Sequence, residues 1–380
     1  MSAGLVTSNF PGCCWTYSGG CHLLLSHLAK NMHLNSFDYF RGLAIMFIVA
    51  GHSCVYWGLE TFYEKVFANL VTGGTTFFVF ISGFFFHHVF YFKFQYKQFI
   101  LKKVKYVLLP YTLFTLTGII CFVFYLDRPP YAEVFITDHL NNWHQYIKLF
   151  IQYWWMGSIL DAYWYIPFIM IIFALSPLFI KQIQLPMKTQ VGLFIFLLGI
   201  SSLIHRPSYN LSHLHSVIYF IPVYMLGIIC SIERARVFKF LEGKSLVLGF
   251  SVVLISVAQI LIYDKYGNFH KETMFSYEGI DLMIIQKILM CFFLLSVTQK
   301  FDHKNIPFLK YISAASFAIY FLHPWILYSF DYLSVFQRYN FLPGFLGFVI
   351  TVPLVIAISL SIAIIFKRVS LNNSRFIIGW

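Results

Sequence analysis

The sequence is poor in charged side chains. Only 11% of its 380 residues are charged, against about 25% in an average soluble protein. Acidic residues are the scarcer kind: 15 Asp and Glu stand against 27 Lys and Arg, a net charge of +12. A basic balance is typical of nucleic-acid-binding proteins. That class is excluded here, because a chain that is 59% hydrophobic cannot bury its apolar surface in a water-soluble fold.

Cysteines are also few, and their spacing matches neither a disulfide framework nor a metal site. The chain has seven. Four of them lie singly in apolar stretches, where small packing residues are usual: Cys54, Cys121, Cys230 and Cys291. We therefore predict no metal cofactor.

Long apolar runs are what the sequence does have. A membrane-spanning helix needs about 20 mostly apolar residues, and ten such stretches are present: 37–57, 73–92, 106–126, 162–180, 190–205, 214–231, 244–263, 279–298, 312–331 and 342–366. They lack the short alternation that membrane β-strands show. The sequence predicts an all-α polytopic membrane protein with about ten transmembrane helices in one domain, 32–370.

The basic residues are unevenly distributed between alternate loops. Eighteen Lys and Arg residues fall in one set of loops and seven in the other. Because cytoplasmic loops carry the excess of Lys and Arg, both termini are predicted to be cytoplasmic. Residues 1–31 are interpreted either as an N-terminal tail or as a segment upstream of a natural start at Met32. Residues 371–380 are predicted to form a short cytoplasmic tail.

Arg41 and His52 are the clearest functional candidates, because titratable groups inside a membrane are costly. They are 11 residues apart in the first predicted span, which puts both side chains on one helix face. Arg41 is placed to meet an anionic ligand near one end of the span, and Asp38 to orient it. The alternative interpretation is a lipid-facing anchor at Arg41 and an interhelical hydrogen-bonding residue at His52.

Four more polar side chains occur in other spans. Ser82, Lys287 and His323 lie at a depth comparable to that of His52, and Tyr320 shares a helix face with His323. This layer predicts a shared cavity. The alternatives are helix packing at Ser82, pairing of Lys287 with Asp281 or its extension towards the membrane surface, and a structural cap at His323.

Two segments outside the spans also suggest ligands. Lys102, Lys103 and Lys105 form a basic run interleaved with aromatic residues, which suits either a phosphate-rich ligand or anionic lipid headgroups. The segment 127–164 is rich in Tyr and Trp and ends near Asp161 and Trp164. It is interpreted as a sugar-binding surface or as an interfacial aromatic belt.

Taken in order, these motifs resemble a known family. The motifs are Arg41-x10-His52, the stretch Phe77–Phe84, the basic run that ends in Leu108-Leu109-Pro110-Tyr111, Trp164-Tyr165-Ile166, and Ser316–His323. Their order and spacing are similar to those of acyltransferase family 3, ten-span membrane enzymes that O-acylate carbohydrates such as O-antigens and capsules. One departure is that lysine occupies all three positions of a basic run in which the family commonly has arginine.

The resemblance implies a donor, an acceptor and a location. The implied donor is cytoplasmic acetyl-CoA, and the acceptor is a glycan or lipid-linked sugar. The implied location is a multi-pass protein of the cell inner membrane, with no nucleic-acid partner. Arg41 and His52 are implied to be essential. Asp161 and Trp164 are the predicted acceptor-binding residues.

The sequence also leads to a mechanistic hypothesis. The donor phosphates bind Lys102, Lys103, Lys105 and Arg41, and His52 either takes a proton from the sugar hydroxyl or is itself transiently acylated. Tyr320, Ser82 or Lys287 would stabilise the oxyanion. A transporter or flippase for a glycan or organic anion is the alternative class, although the sequence shows no inverted repeat.

Overall fold

The computed structural model describes residues 34–126, 130–135, 142–339, 342–370 and 373–380. The predictions for residues 1–31 lie outside this range. Most of the described chain is helical. The α-helices are α1 Asn35–Ser53, α2 Phe62–Val71, α3 Thr75–Phe85, α4 Tyr96–Lys103, α5 Leu109–Ile119, α6 Ala132–Phe135, α7 Trp143–Met156, α8 Tyr165–Ala174, α9 Ser176–Ile183, α10 Met187–Ile204, α11 His213–Ile232, α12 Arg234–Leu241, α13 Ser245–Tyr263, α14 Leu282–Gln299, α15 Pro307–Tyr332, α16 Val335–Arg338, α17 Gly344–Ser370 and α18 Ser374–Ile377.

Tighter or wider turns extend several of these helices. Three 3₁₀ turns occupy Cys54–Tyr56, Tyr91–Lys93 and Ser208–Asn210, and three π-helical turns occupy Phe86–Phe90, Val104–Leu108 and Ile120–Tyr125. Two two-residue strands, β1 (Arg206–Pro207) and β2 (His270–Lys271), pair in parallel and join the loops that follow α10 and α13.

The helices confirm the predicted fold class of an all-α polytopic membrane protein. Within the described residues, eight helical stretches are long and apolar enough to cross a membrane, and a ninth arises if α8 and α9, bent by 54°, count as one span. The ninth predicted span, 312–331, lies within α15, a helix of 26 residues that is not among these candidates. Each predicted stretch therefore contains a helix. The sidedness of the termini stays a prediction.

Glycines allow the closest helix contact, between α3 and α11. A Cβ on Gly83 would lie 2.0 Å from the carbonyl oxygen of Tyr224, and a Cβ on Gly227 would lie 2.1 Å from that of Phe80. Neither position has room for a side chain. Small residues are the usual means by which membrane helices approach each other closely, because packing replaces the hydrophobic driving force there. This contact fixes α3, which carries Phe78 and Ser82.

Helix α15 packs on both α1 and α17. At the first contact Gly42 of α1 faces the backbone of Leu309, only 2.8 Å from where its Cβ would be. Pro307 begins α15 at a position where its missing N–H costs nothing. The contact brings α15 residues alongside the face of α1 that carries Arg41 and His52, which is how the candidate site is assembled.

Candidate functional site

Arg41 lies at one end of α1, where neighbouring side chains orient it. Its Nε donates a hydrogen bond to Ser313 Oγ at 2.8 Å, and its terminal nitrogen lies 3.8 Å from Asp38 Oδ1. The predicted orienting role of Asp38 therefore has a contact in the structure. The exposed part of the guanidinium faces an open cavity, which we call the basic cavity.

The basic cavity has an open volume of about 2060 Å³. Its described lining contains four cationic side chains and neither Asp nor Glu: Arg41, Lys102, Lys103 and Arg375. Aromatic rings form much of the remaining wall, and the Lys103 Nζ lies 4.2 to 5.2 Å from the ring centroids of Phe173, Phe90 and Phe99. Cations over aromatic faces are favourable. Such a cavity suits an anionic ligand that also has an apolar or planar part.

A smaller space, the central cavity, continues from the basic cavity. Its empty space is about 410 Å³, part of which is open to solvent, and it is narrow. Four residues line both cavities: Phe78, Tyr165, Ser316 and Phe317. The remaining residues lining the central cavity include Thr75, Trp164, Tyr320 and His52. The two candidates on α1 are therefore joined by one continuous lining.

On the other side of His52 lies a third space, which we call the acidic cavity. It is open, with a volume of about 1260 Å³, and its described lining has two carboxylates, Asp161 and Asp331, but neither Lys nor Arg. Tyr56, Tyr328 and Tyr332 contribute aromatic walls. His52 is the residue common to the described linings of the acidic and central cavities. It stands at the boundary between them.

His52 has a second histidine as its neighbour. The ring centroids of His52 and His323 are 5.4 Å apart. His323 is fully buried, and its Nδ1 lies 2.9 Å from the carbonyl oxygen of Ile319. A carbonyl only accepts hydrogen bonds, so Nδ1 carries the proton and Nε2 of the neutral ring keeps a lone pair. That Nε2 has no hydrogen-bond partner among the described residues.

Helix α15 also holds the loop that leads into α8. The Tyr320 hydroxyl donates to the carbonyl oxygen of Ala162, and the Tyr163 hydroxyl donates to that of Phe321 at 2.8 Å. Both hydrogen bonds fix the backbone between Asp161 and Trp164. The Tyr320 hydroxyl is thus occupied by a backbone carbonyl, and the residue's evident role is to position this loop. Asp161 itself accepts from Tyr131 at 3.4 Å.

Arg206, which is not among the residues predicted from the sequence, packs against Trp164. Its guanidinium carbon lies 5.1 Å from the Trp164 ring and 5.4 Å from that of Phe220. Arg206 is buried, which lowers its pKa, while Tyr219 and Asp281 act in the opposite direction. In the sequence it was one of several loop cations, and no spacing relates it to Trp164.

Four predicted residues lie outside the described cavity linings: Asp38, which contacts Arg41, His323, which contacts His52, and Lys287 and Lys105. Lys287 donates from Nζ to the carbonyl oxygens of Asn69 and Leu70, at 2.7 and 3.0 Å, and so satisfies carbonyls at the end of α2. Asp281, its suggested partner, instead caps α14 through Met283 N. Lys105 lies 4.6 Å from the Phe376 ring. The predicted polar layer is therefore divided: His52 and His323 are adjacent, whereas Ser82 lines the basic cavity.

The described residues contain no group of three or more His, Cys, Asp or Glu arranged to hold a metal ion. The prediction of no metal cofactor concerns the whole chain and stays a prediction.

The fold and the cavities together define a class of protein. It is a polytopic membrane protein with spaces for ligands on both sides of a histidine that lies in a predicted membrane span. A family model described as "Acyltransferase domain" matches residues 34–364. The chain therefore belongs to acyltransferase family 3, which confirms the resemblance seen in its motifs.

Curated relatives give a weaker indication. The chain is 26% identical over 258 residues to proteins named "Probable poly-beta-1,6-N-acetyl-D-glucosamine export protein" from Staphylococcus aureus strains MSSA476 and MW2. The strain MRSA252 protein of the same name is 25% identical. The match covers 63% of this chain and 65% of each relative, so the chain spans somewhat less than two thirds of their length. No solved structure matches.

Proposed function

We propose that the protein is a membrane O-acyltransferase that moves an acetyl group from acetyl-CoA to a hydroxyl of a glycan or lipid-linked sugar. Family membership supports acyl transfer. The observation that carries the proposal is the position of His52, whose side chain lines both the central and the acidic cavity. A donor approaching from the basic cavity and an acceptor in the acidic cavity would meet there.

The basic cavity is the proposed donor site. Lys102 and Lys103 supply point charges for phosphates, and Arg41 supplies a planar guanidinium held by Ser313. Arg41 and His52 are separated by 11 residues of α1, a rise of about 16 Å. The thioester arm would follow this helix past Phe78 and Ser316 into the central cavity. In this orientation the basic cavity opens on the cytoplasmic side of a bacterial inner membrane.

The acidic cavity is the proposed acceptor site. Carboxylates are strong hydrogen-bond acceptors for sugar hydroxyls, and aromatic rings provide flat apolar faces for a pyranose. Asp161 and Asp331 supply the first, and Tyr56 and Tyr328 the second. Trp164 lines the central cavity next to His52, where it would contact the reacting groups.

His52 is the proposed catalytic group. In direct transfer its neutral ring takes the proton of the acceptor hydroxyl, the oxygen bonds to the thioester carbon, and the sulfur leaves with the proton that His52 returns. In the relay alternative, a His52 nitrogen first bonds to the acyl carbon and the CoA thiol leaves; the acceptor hydroxyl then takes the acyl group. Both routes need an oxyanion stabiliser, a role that we propose for Ser82, which lines the basic cavity, or Ser316, which lines both the basic and the central cavity.

The experiment compares surface glycans by mass spectrometry from cells with the wild-type gene, the deleted gene, and the variants His52→Ala and Arg41→Ala. Each variant should lose the added acetyl group while inserting at the wild-type level. His303→Ala is the matched control, because His303 is exposed and lies outside the described cavity linings. Full acetylation in His52→Ala would remove the proposed base.

Export of a glycan is the second candidate, favoured by the name of the relatives and by cavities on both sides of His52. It predicts a different result for the same cells. Deletion would reduce the amount of glycan at the surface, and the glycan that remained inside would carry its usual acetyl content. Acyl transfer predicts normal amounts with the acetyl group missing.

A further inference from the structure

Residues 373–380 pack against the membrane helices, although the sequence suggests only a tail. Ile378 is fully buried in a cluster with Ala318 and Leu322 of α15 and Ala363 of α17. Gly379 follows with φ of +76°, and a Cβ there would lie 2.5 Å from Cδ1 of Phe317. The backbone therefore needs both the left-handed conformation and the missing side chain of glycine at this point.

This packing places the segment along the basic cavity. Arg375, Gly379 and Trp380 all line it. Phe376 stacks on Tyr106, with ring centroids 5.4 Å apart and planes inclined by 19°, and the Arg375 guanidinium carbon lies 4.3 Å from the same Tyr106 ring. Trp380 lies under Lys367 Nζ at 4.0 Å. Aromatic contacts thus hold the segment on both flanks of Arg375.

Arg375 differs from the other cations of the cavity. Lys102 and Lys103 are point charges, and the Arg41 guanidinium is already engaged by Ser313 and Asp38. Among the described residues Arg375 makes a ring contact but neither a hydrogen bond nor an ion pair, so its N–H groups are available to a ligand in the cavity. A guanidinium binds two phosphate oxygens at once, which an ammonium group does not.

We propose that residues 373–380 form one wall of the acyl-donor site and that Arg375 binds a phosphate group of the nucleotide-bearing donor. This inference rests on the proposed acyl transfer. It assigns to the donor site the segment that follows α17. The close packing of Gly379 on Phe317 holds this segment in place beside the site. The Phe317 side chain lines both the basic and the central cavity, so the segment borders the route from the phosphates to His52.

The test uses full-length protein in phosphatidylcholine proteoliposomes and measures KM for acetyl-CoA and for the acceptor separately. Arg375→Gln should raise the donor KM roughly tenfold, the effect of losing one charge-assisted hydrogen-bonding group. Arg375→Lys should lie between wild type and Arg375→Gln, because charge returns without bidentate geometry. The acceptor KM and kcat should change little. Arg368→Gln is the matched control: it removes one exposed cation from the same chain end, outside the cavity lining, and should match wild type.

A phosphate-free donor makes the test specific. With S-acetyl-pantetheine, wild type and Arg375→Gln should have the same KM, because the group that Arg375 binds is absent. A variant effect that persists with this donor would give Arg375 a structural role, and one that appears only when anionic phosphatidylglycerol is added to the vesicles would mean that Arg375 binds a lipid headgroup. Either result would overturn the proposal. So would a loss of kcat with an unchanged donor KM.

Binding of CoA to the purified protein separates the two levels of the argument and covers the case in which Arg375→Gln is inactive. Wild-type protein that neither binds CoA nor transfers the acetyl group would refute the proposed function itself. Wild-type protein that does both, with Arg375→Gln binding CoA equally well, would refute the role of Arg375 alone. Weaker CoA binding by the variant, with Arg368→Gln unchanged, would support it.

Discussion

The two open cavities lie at opposite ends of the same helix face, and their chemistry is opposite. The described lining of the basic cavity has four cationic side chains and neither Asp nor Glu, and that of the acidic cavity has two carboxylates and neither Lys nor Arg. An anion favoured by one would be repelled by the other. The difference indicates that the two spaces receive different molecules, which is what a group transfer between a polyanionic donor and a hydroxyl-bearing acceptor requires.

The cavities also differ in how their walls are held. Side chains of the basic cavity rest mainly on aromatic rings, as Lys103 does on Phe173. The loop beside the acidic cavity is instead fixed by hydrogen bonds from Tyr320 and Tyr163 to backbone carbonyls. Ring contacts tolerate small displacements, whereas hydrogen bonds set a position more narrowly. We therefore expect the acceptor site to be more selective for the shape of its ligand than the donor site.

The largest effect is predicted for a substitution that disrupts the contact between α3 and α11, on which both cavities depend. In Gly227→Ala the new Cβ would meet the backbone at Phe80 and push α3 away from α11, at a cost of about 3 kcal/mol or more. The yield of monodisperse protein in detergent and its thermal midpoint should both fall. Gly199→Ala is the control, because nothing lies within 4 Å of its Cβ position. Equal stability of the two variants would contradict the close crossing.

The next prediction concerns His323, the neighbour of His52 at the boundary between the central and acidic cavities. His323→Asn keeps a donor for the Ile319 carbonyl but has no group at Nε2, so it should lower kcat roughly 100-fold if Nε2 orients or relays a proton for His52. His323→Gln presents an amide at that position and should recover part of the rate. The kcat–pH profiles of both variants are the measurement. Two variants with the same kcat would leave His323 a purely structural role.

A smaller effect, on the KM for acetyl-CoA, is predicted to distinguish Lys102 from Lys105. Lys102 lines the basic cavity, whereas Lys105 packs on Phe376. Lys102→Gln should raise the KM for acetyl-CoA about three- to fivefold, as expected for a solvated charge contact, and the rise should shrink in high salt. Lys105→Gln should have the smaller effect. The reverse order would place the donor phosphates elsewhere.

The smallest effect is predicted for a substitution in the acidic cavity, and it concerns the KM for the acceptor. Asp161→Asn keeps the shape of the side chain but weakens its capacity as an acceptor, and should raise the acceptor KM about threefold without changing the donor KM. Asp264→Asn provides a control, since the Asp264 side chain is 91% exposed and pairs with Lys65. A change in donor KM instead would break the assignment of one substrate to each cavity.

Much of the site could be predicted where it lies on one helix or in one motif. Arg41 and His52 follow from helical periodicity alone, and Tyr320 and His323 from the spacing on α15. Lys287 shows where this reasoning fails. Depth in the membrane can be read from the sequence, but direction around the bundle cannot, and Lys287 turns to the end of α2 rather than to the cavities.

Arg206 and Arg375 show the complementary failure. Both are loop or terminal cations in the sequence, and both acquire a role only because packing brings them to residues far away in the chain, Trp164 and Tyr106. The burial of Ile378 against α15 and α17 is equally invisible in a segment of ten residues.

The sequence by itself determined the class of the protein, its helices, and the residues that share a face of α1, because apolar length and helical periodicity are local properties. Only the tertiary structure decided which helices surround that face, that His52 stands between the central and the acidic cavity, and that residues of the segment 373–380 line the basic cavity. Those features depend on lateral packing, and lateral packing depends on contacts such as Gly227 against Phe80, between residues that no local pattern relates.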